Sequence, residues 1–250
     1  MSSIKPFVGG NWKSFNDKAK VDSLVEQYST VAYPPATAVD VMLAPTALYY
    51  NTVQSKLGDK FTIALQTISA HDDGAYTGEI SAKGFASHGG SMVIIGHSER
   101  RTHFGETDII LAEKTAKALV AGLTVVFCIG ETHAQYNAKQ TEDVVVQQLA
   151  AVSALVKQHP HQFVIAYEPV WAIGTGLVPT IAEIDRVHTV IRGWLTTLTK
   201  EGKTIRIIYG GSVKSTNASE IYSIEHVNGF LVGGGSLNAE EFRKIVAAVE

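Results

Sequence analysis

The sequence predicts a single α/β domain over residues 1–250, a closed (β/α)8 barrel of eight parallel strands, on three observations. Short, nearly continuous apolar runs recur about eight times, amphipathic stretches separate them, and no linker, low-complexity tract or charge block divides the chain. Parallel strands covered on both faces produce unbroken apolar runs of this kind. An open doubly wound sheet is the competing architecture, but it usually uses fewer strands, and the first turn here carries no G-x-G-x-x-G.

In order, the runs are PFVGG around Phe7, VDVMLAP around Val41, FTIALQ around Ile63, SMVIIG around Val93, TVVFCIG around Val126, FVIAYEPV around Ile165, IRIIYGG around Ile207 and GFLVGGG around Leu231. Between the fourth and fifth, residues 109–119 set Ile110, Leu111, Ala118 and Leu119 against Glu113, Lys114 and Lys117, which predicts an amphipathic helix. The apolar stretch 118–129 is too short to span a bilayer and holds Gly122, so it reads as a helix end followed by a strand. Between the sixth and seventh runs, residues 181–198 place Ile184, Val187, Ile191 and Leu195 on one stripe. Thr180 caps that helix, with Glu183 three residues on.

Hydrophobic residues make up 45% and charged residues 18%, the balance of one large buried core. A net charge of −3 argues against a surface for polyanions while leaving room for a local basic pocket that takes a small anion. The single cysteine, Cys128, excludes an internal disulfide and suits a reducing compartment. The opening MSSIKPFVGG has no apolar signal core. The expectation is a soluble, cytoplasmic protein with neither membrane nor nucleic-acid partners.

In a barrel of this class the active site lies where strands end and βα loops begin, so the informative residues are those just after each apolar run. They are Asn11 and Lys13 after the first, and His97, Ser98 and Glu99 after the fourth. After the sixth come Glu168, Trp171 and the segment 174–176; Gly210, Gly211 and Ser212 follow the seventh, and Gly233, Gly234, Gly235 and Ser236 the eighth. Taken singly, each has an ordinary reading: a solvated lysine, a structural histidine, a helix-start carboxylate, glycines in tight turns. Their shared place on one rim changes that. Glycine-rich ends let backbone N–H groups approach a phosphate dianion, and no lysine follows them at Walker spacing, which argues against a nucleoside triphosphate. A carboxylate, an imidazole and an ammonium suit proton transfer beside a carbonyl, with Glu168 removing the proton while His97 and Lys13 stabilise the enediolate oxygen. No cofactor or metal is called for. His159-Pro160-His161 sits in a polar connector, His71, Asp72 and Asp73 lack partners at ligand spacing, and Cys128 lies inside an apolar strand.

GGNWK at 9–13, GHSERR at 96–101, CIGET at 128–132, AYEPVWAIGTG at 166–176, YGGSV at 209–213 and GFLVGG at 229–234 appear in an order and spacing that resemble the triosephosphate isomerase family across almost the whole chain. The resemblance implies a cofactor-independent isomerase that interconverts dihydroxyacetone phosphate and D-glyceraldehyde 3-phosphate through an enediolate, in glycolysis and gluconeogenesis. By the resemblance, Glu168 is the base, His97 a neutral electrophile opening a short helix at 98–102, and Lys13 a source of positive charge, with Asn11 and Glu99 in the same pocket. Gly174, Gly233, Gly234 and Ser212 would hold the phosphate together with Asn11 and Lys13. Residues 169–179, including Pro169, Val170, Trp171, Leu177, Val178 and Pro179, would be a lid latched by Tyr209 and Ser212.

The family pattern further implies a homodimer in which loop 72–80, with Tyr76 and Thr77, enters the partner beside Ser14 and Phe15. This sequence departs from the pattern there, with Ser14 and Phe15 following Lys13, and with Thr67 where asparagine is common. It departs again at Pro179, where the family supplies a backbone N–H to the latch tyrosine; proline has none. Other phosphate-binding barrel enzymes would call for a metal cluster or a lysine inside a later strand. A catalytically silent relative acting as a binding protein would be marked by loss of Glu168, His97 or Lys13, and all three are present.

Overall fold

A computed structural model describes residues 4–173 and 177–250. Eight strands form one sheet among these residues: β1 (Phe7–Asn11), β2 (Asp40–Ala44), β3 (Thr62–Ile63), β4 (Met92–Ile95), β5 (Thr124–Ile129), β6 (Phe163–Tyr167), β7 (Arg206–Tyr209) and β8 (Gly229–Val232). Their order is β3-β2-β1-β8-β7-β6-β5-β4, and every pairing is parallel. The ends of that order meet where Leu65, just past β3, bridges Val93 of β4, with Ile94 N–H donating to the Leu65 carbonyl at 2.9 Å. The bridge closes the barrel.

Two apolar layers follow from the period-two alternation of side chains along a strand. Phe7, Met42, Ala64, Met92, Ile94, Val126, Cys128, Val164, Ala166, Ile208 and Leu231 pack together inside the barrel. Their neighbours along the strands, such as Val8, Val93, Phe127, Ile165 and Phe230, face the surrounding helices in a second, larger cluster. Cys128 is therefore part of the interior filling, where burial pushes its thiol pKa far up.

The stretch read as 109–119 is the helix Asp108–Val120, capped by Thr107. Lys114, placed on the polar face in the sequence reading, is buried instead and donates to Glu106 Oε1 at 2.7 Å and Thr67 Oγ1 at 3.0 Å. A long side chain with acceptors in reach can turn inward where composition alone places it in water. The helix Ile181–Leu198 follows the expected stripe and adds two polar members to its buried face, His188 and Arg192. Its start is a capping box between Thr180 and Glu183. Among the described residues no helix is long and apolar enough to cross a membrane.

Candidate active site

The same alternation that fills the barrel sets the site. Two residues beyond inward-facing Ala166 stands Glu168, two beyond Ile208 is Gly210, and two beyond Leu231 is Gly233, all at the carboxyl end of the strands. Bare backbone beside Glu168 makes the fit possible. A Cβ on Gly130 would lie 1.7 Å from the Glu168 carbonyl oxygen, and one on Gly210 would lie 2.9 Å from Glu168 Cγ.

Glu168 is 2% exposed. Its Oε1 lies 3.0 Å from His97 Nε2, and its Oε2 accepts the Ser98 backbone N–H at 2.9 Å. Burial alone would raise the carboxyl pKa, but the facing imidazole, its hydrogen bond and the Ser98 amide outweigh burial and hold it below the usual carboxylate range.

His97 caps the helix Ser98–His103, and its Nδ1 accepts the Glu99 N–H at 3.2 Å. That bond leaves the proton of a neutral ring on Nε2, facing Glu168. For the imidazolium, burial acts downward and the Glu168 charge acts upward; the carboxylate wins, and the His97 pKa lies above its ordinary value. The sequence reading weighed only the helix end, which opposes imidazolium. The opposing influence comes mainly from Glu168, with a smaller upward contribution from Glu99.

Lys13 has a φ of 50°, a left-handed backbone that costs a non-glycine residue about 1–2 kcal/mol. Three contacts hold it there. Its N–H donates to Asn11 Oδ1 at 3.0 Å, its carbonyl accepts from Gln66 Nε2 at 2.8 Å, and its Nζ donates to Glu99 Oε1 at 2.6 Å. A Cβ on Gly233 would sit 3.3 Å from Lys13 Cε, so the lysine stem crosses close above the bare end of β8.

Asn11, Lys13, His97, Glu168, Ser212, Gly233 and Gly234 line one cavity of about 530 Å³. Glu99 reaches it through Lys13 and itself lines a neighbouring cavity of about 350 Å³, together with Ser14. Phe15, expected beside Ser14 at a dimer contact, borders the larger cavity and is 58% exposed. Tyr76 stacks on His71 with centroids 4.0 Å apart, and Thr77 beside it is exposed.

Around the predicted lid, Pro169 precedes a 3-10 turn at Val170–Ala172. Trp171 is buried there and donates its indole N–H to Glu131 Oε1 at 2.7 Å. Leu177 and Val178 are exposed and Pro179 is buried. Gly174 lies outside the described residues, as do Thr175 and Gly176. Tyr209 is fully buried on the outer face of the sheet, and its hydroxyl meets no hydrogen-bond partner among the described residues.

Sequence reasoning assigns no role to three residues that the structure places at this site. Gln66 bonds the carbonyls of both Lys13 and Ala44, and its position at the end of the third apolar run was the available signal. Glu131, just after β5, holds Trp171 and accepts from the Tyr167 hydroxyl at 3.2 Å, and burial pushes its pKa up. Lys214 lines the larger cavity and carried no signal beyond following Val213.

A sequence model described as triosephosphate isomerase matches residues 6–249. A protein named triosephosphate isomerase from Ruegeria pomeroyi is 45% identical over 249 residues, covering 98% of each chain. One of the same name from Delftia acidovorans is 40% identical, covering 98% of this chain and 99% of its own. Another, from Rhodopseudomonas palustris, is 42% identical over 98% of both chains.

Proposed function

This chain belongs to the triosephosphate isomerase family, and from that premise we propose how its residues carry out the isomerisation. The reaction interconverts dihydroxyacetone phosphate and D-glyceraldehyde 3-phosphate, and the enzyme is an intramolecular oxidoreductase. One observation carries the assignment of roles: Glu168 and His97 meet at 3.0 Å in a cavity that Lys13 and the bare glycines of β8 also line.

Glu168 turns from Ser98 toward the substrate and takes a proton from C1 of dihydroxyacetone phosphate. The C–H pair becomes the C1=C2 bond, and the carbonyl electrons settle on O2. His97 donates Nε2–H to that oxygen, Lys13 faces its charge, and the imidazole edge carries one proton from O1 to O2. Glu168 then returns its proton to C2, leaving the aldehyde at C1. As Glu168 leaves Nε2, the largest influence that raises the His97 pKa goes with it, and burial and Lys13 then favour the neutral ring needed for donation. Before it turns, His97 and the Ser98 amide hold the Glu168 pKa low, so the base waits ionised.

Gly233, Gly234, Ser212, Asn11 and, by family likeness, Gly174 receive the phosphate. Residues 169–179 close over it and exclude water, which protects the enediolate from losing its phosphate. The working form is a cytoplasmic homodimer in which loop 72–80 of each protomer, with Tyr76 and Thr77, enters beside Ser14 and Phe15 of the other. The cavity beside Ser14 and the exposure of Phe15 and Tyr76 support the reading.

A coupled assay of triose phosphate interconversion, run with and without chelator across a wide dilution series, tests it. Turnover indifferent to chelator and falling on dilution is expected. Glu168→Asp withdraws the carboxylate by ~1 Å and should cost on the order of 100-fold in kcat. A variant turning over near the wild-type rate would remove Glu168 as the base.

A further inference from the structure

One side chain outside the substrate cavity holds both ends of the lid. Tyr136, in the helix His133–Asn137 that follows β5, lays its ring on Trp171 with centroids 4.0 Å apart and planes 22° from parallel. Its hydroxyl donates to Glu183 Oε1 at 2.7 Å. The other oxygen of Glu183 accepts from Thr180 N and from Thr180 Oγ1, each at 2.8 Å, and so completes the cap of Ile181–Leu198. Trp171 stands where the chain leaves β6, and Thr180 stands where it enters the long helix. A single phenol ring therefore joins the turn that opens the lid to the helix cap just after it.

We infer that Tyr136 is a positioning residue of the isomerase reaction, clamping both lid ends to the barrel so that closure onto the substrate phosphate starts from fixed hinges. The inference rests on residues 169–179 acting as the lid. A loop with anchored ends has fewer arrangements to lose on closing, so a larger fraction of molecules is ready to bind. Apparent affinity scales with that competent fraction. Loosening the clamp thus weakens every ligand the lid closes on by a common factor, whether or not it reacts. Simple packing does not behave this way, since its loss lowers melting temperature and active fraction while leaving the affinity of the remaining folded molecules alone.

The test uses full-length enzyme, with KM for glyceraldehyde 3-phosphate, kcat, Ki for inorganic phosphate and melting temperature measured side by side. Tyr136→Ala removes stack and bond, and should raise KM and Ki together by about 10-fold. Tyr136→Phe keeps the stack and loses only the bond, so about 3-fold is expected, with melting temperature close to wild type. If Tyr136→Ala does not fold, Tyr136→Phe carries the test. KM and Ki that stay within about 2-fold of wild type in the folded variants overturn the clamp, and so does a loss confined to kcat and melting temperature. Wild-type enzyme that neither isomerises triose phosphate nor binds phosphate defeats the proposed function and the clamp with it. Wild-type enzyme that does both while the variants match it defeats the clamp alone.

Discussion

The two ends of the barrel both carry charge, and they use it in opposite ways. At the amino end, Asp40 at the start of β2 accepts from Lys5 and Arg206, and the Arg206 guanidinium also lies 5.2 Å from the centre of the Phe7 ring. The Asp40 side chain is 38% exposed and Lys5 39%, so this network shuts the barrel floor while remaining in water. At the carboxyl end, the His97 side chain is 7% exposed and Glu168 3%, and nearby Lys13 holds a left-handed backbone. Attraction between charges grows as water is excluded, and so does the cost of leaving one unpaired. Groups that only need to hold can stay wet. Under the proposed roles, groups that move a proton or steady an oxyanion gain from being dry, and the surrounding fold sustains their strain.

The largest effect that could break this contrast is at Lys13. Lys13→Met removes the ammonium facing the developing charge, and should lower kcat by on the order of 10²–10³-fold with little change in melting temperature. Steady-state kinetics beside thermal melts check it, and a loss of stability matching the loss of rate would make Lys13 a structural residue like those at the floor.

A second effect belongs to neither end. His188 is fully buried in the outer layer, where burial pushes its pKa down to about 4 against a backbone hydrogen bond to His226. The unfolded chain therefore binds a proton that the folded chain refuses. Stability is intact above pH ~6.5, falls as pH drops through that value, and levels off near pH 4, a deficit on the order of 3 kcal/mol. Melts of wild type and His188→Phe between pH 7 and 4.5 should show a flatter pH dependence in the variant, while relative kcat at pH 7 changes little.

Smaller effects sharpen the picture at the lid. Pro179 offers no N–H to Tyr209, whose hydroxyl has no partner among the described residues, so Tyr209→Phe should change kcat by less than about 3-fold. Ser212→Ala, at a residue lining the cavity, should cost about 5- to 10-fold, the scale of one net hydrogen bond. A larger loss in Tyr209→Phe than in Ser212→Ala reverses the account of the latch.

The smallest effect is expected at the floor. Asp40→Asn should cost ~1 kcal/mol or less of stability, the worth of a half-exposed ion pair, and leave kcat and KM unchanged. Urea unfolding with parallel kinetics would show it.

Much of this was legible because the barrel repeats one rule. Apolar runs mark strands and the next residues mark the rim, which is how Asn11, Lys13, His97, Glu168, Ser212 and the β8 glycines could be assembled from a linear chain. The Thr180–Glu183 box was readable for a local reason, since its two hydrogen bonds span three residues. Lys114 and His188 were not readable, because a polar side chain goes inward only where a distant segment supplies an acceptor, here Glu106 and the His226 carbonyl. Tyr136 was hidden for the same reason, its partners lying 35 and 47 residues away.

By itself, then, the sequence determined the barrel and the common rim of the candidate groups, since strand period and residue chemistry are carried by neighbours along the chain. Only the tertiary structure decided the contact of His97 with Glu168, the strained seat of Lys13 on Gln66, the opposite pKa directions of Glu131 and Glu168, and the bridge made by Tyr136. Each of these depends on a distance or a degree of water exclusion set by packing, and electrostatic and hydrogen-bond energies depend on those quantities rather than on order along the chain.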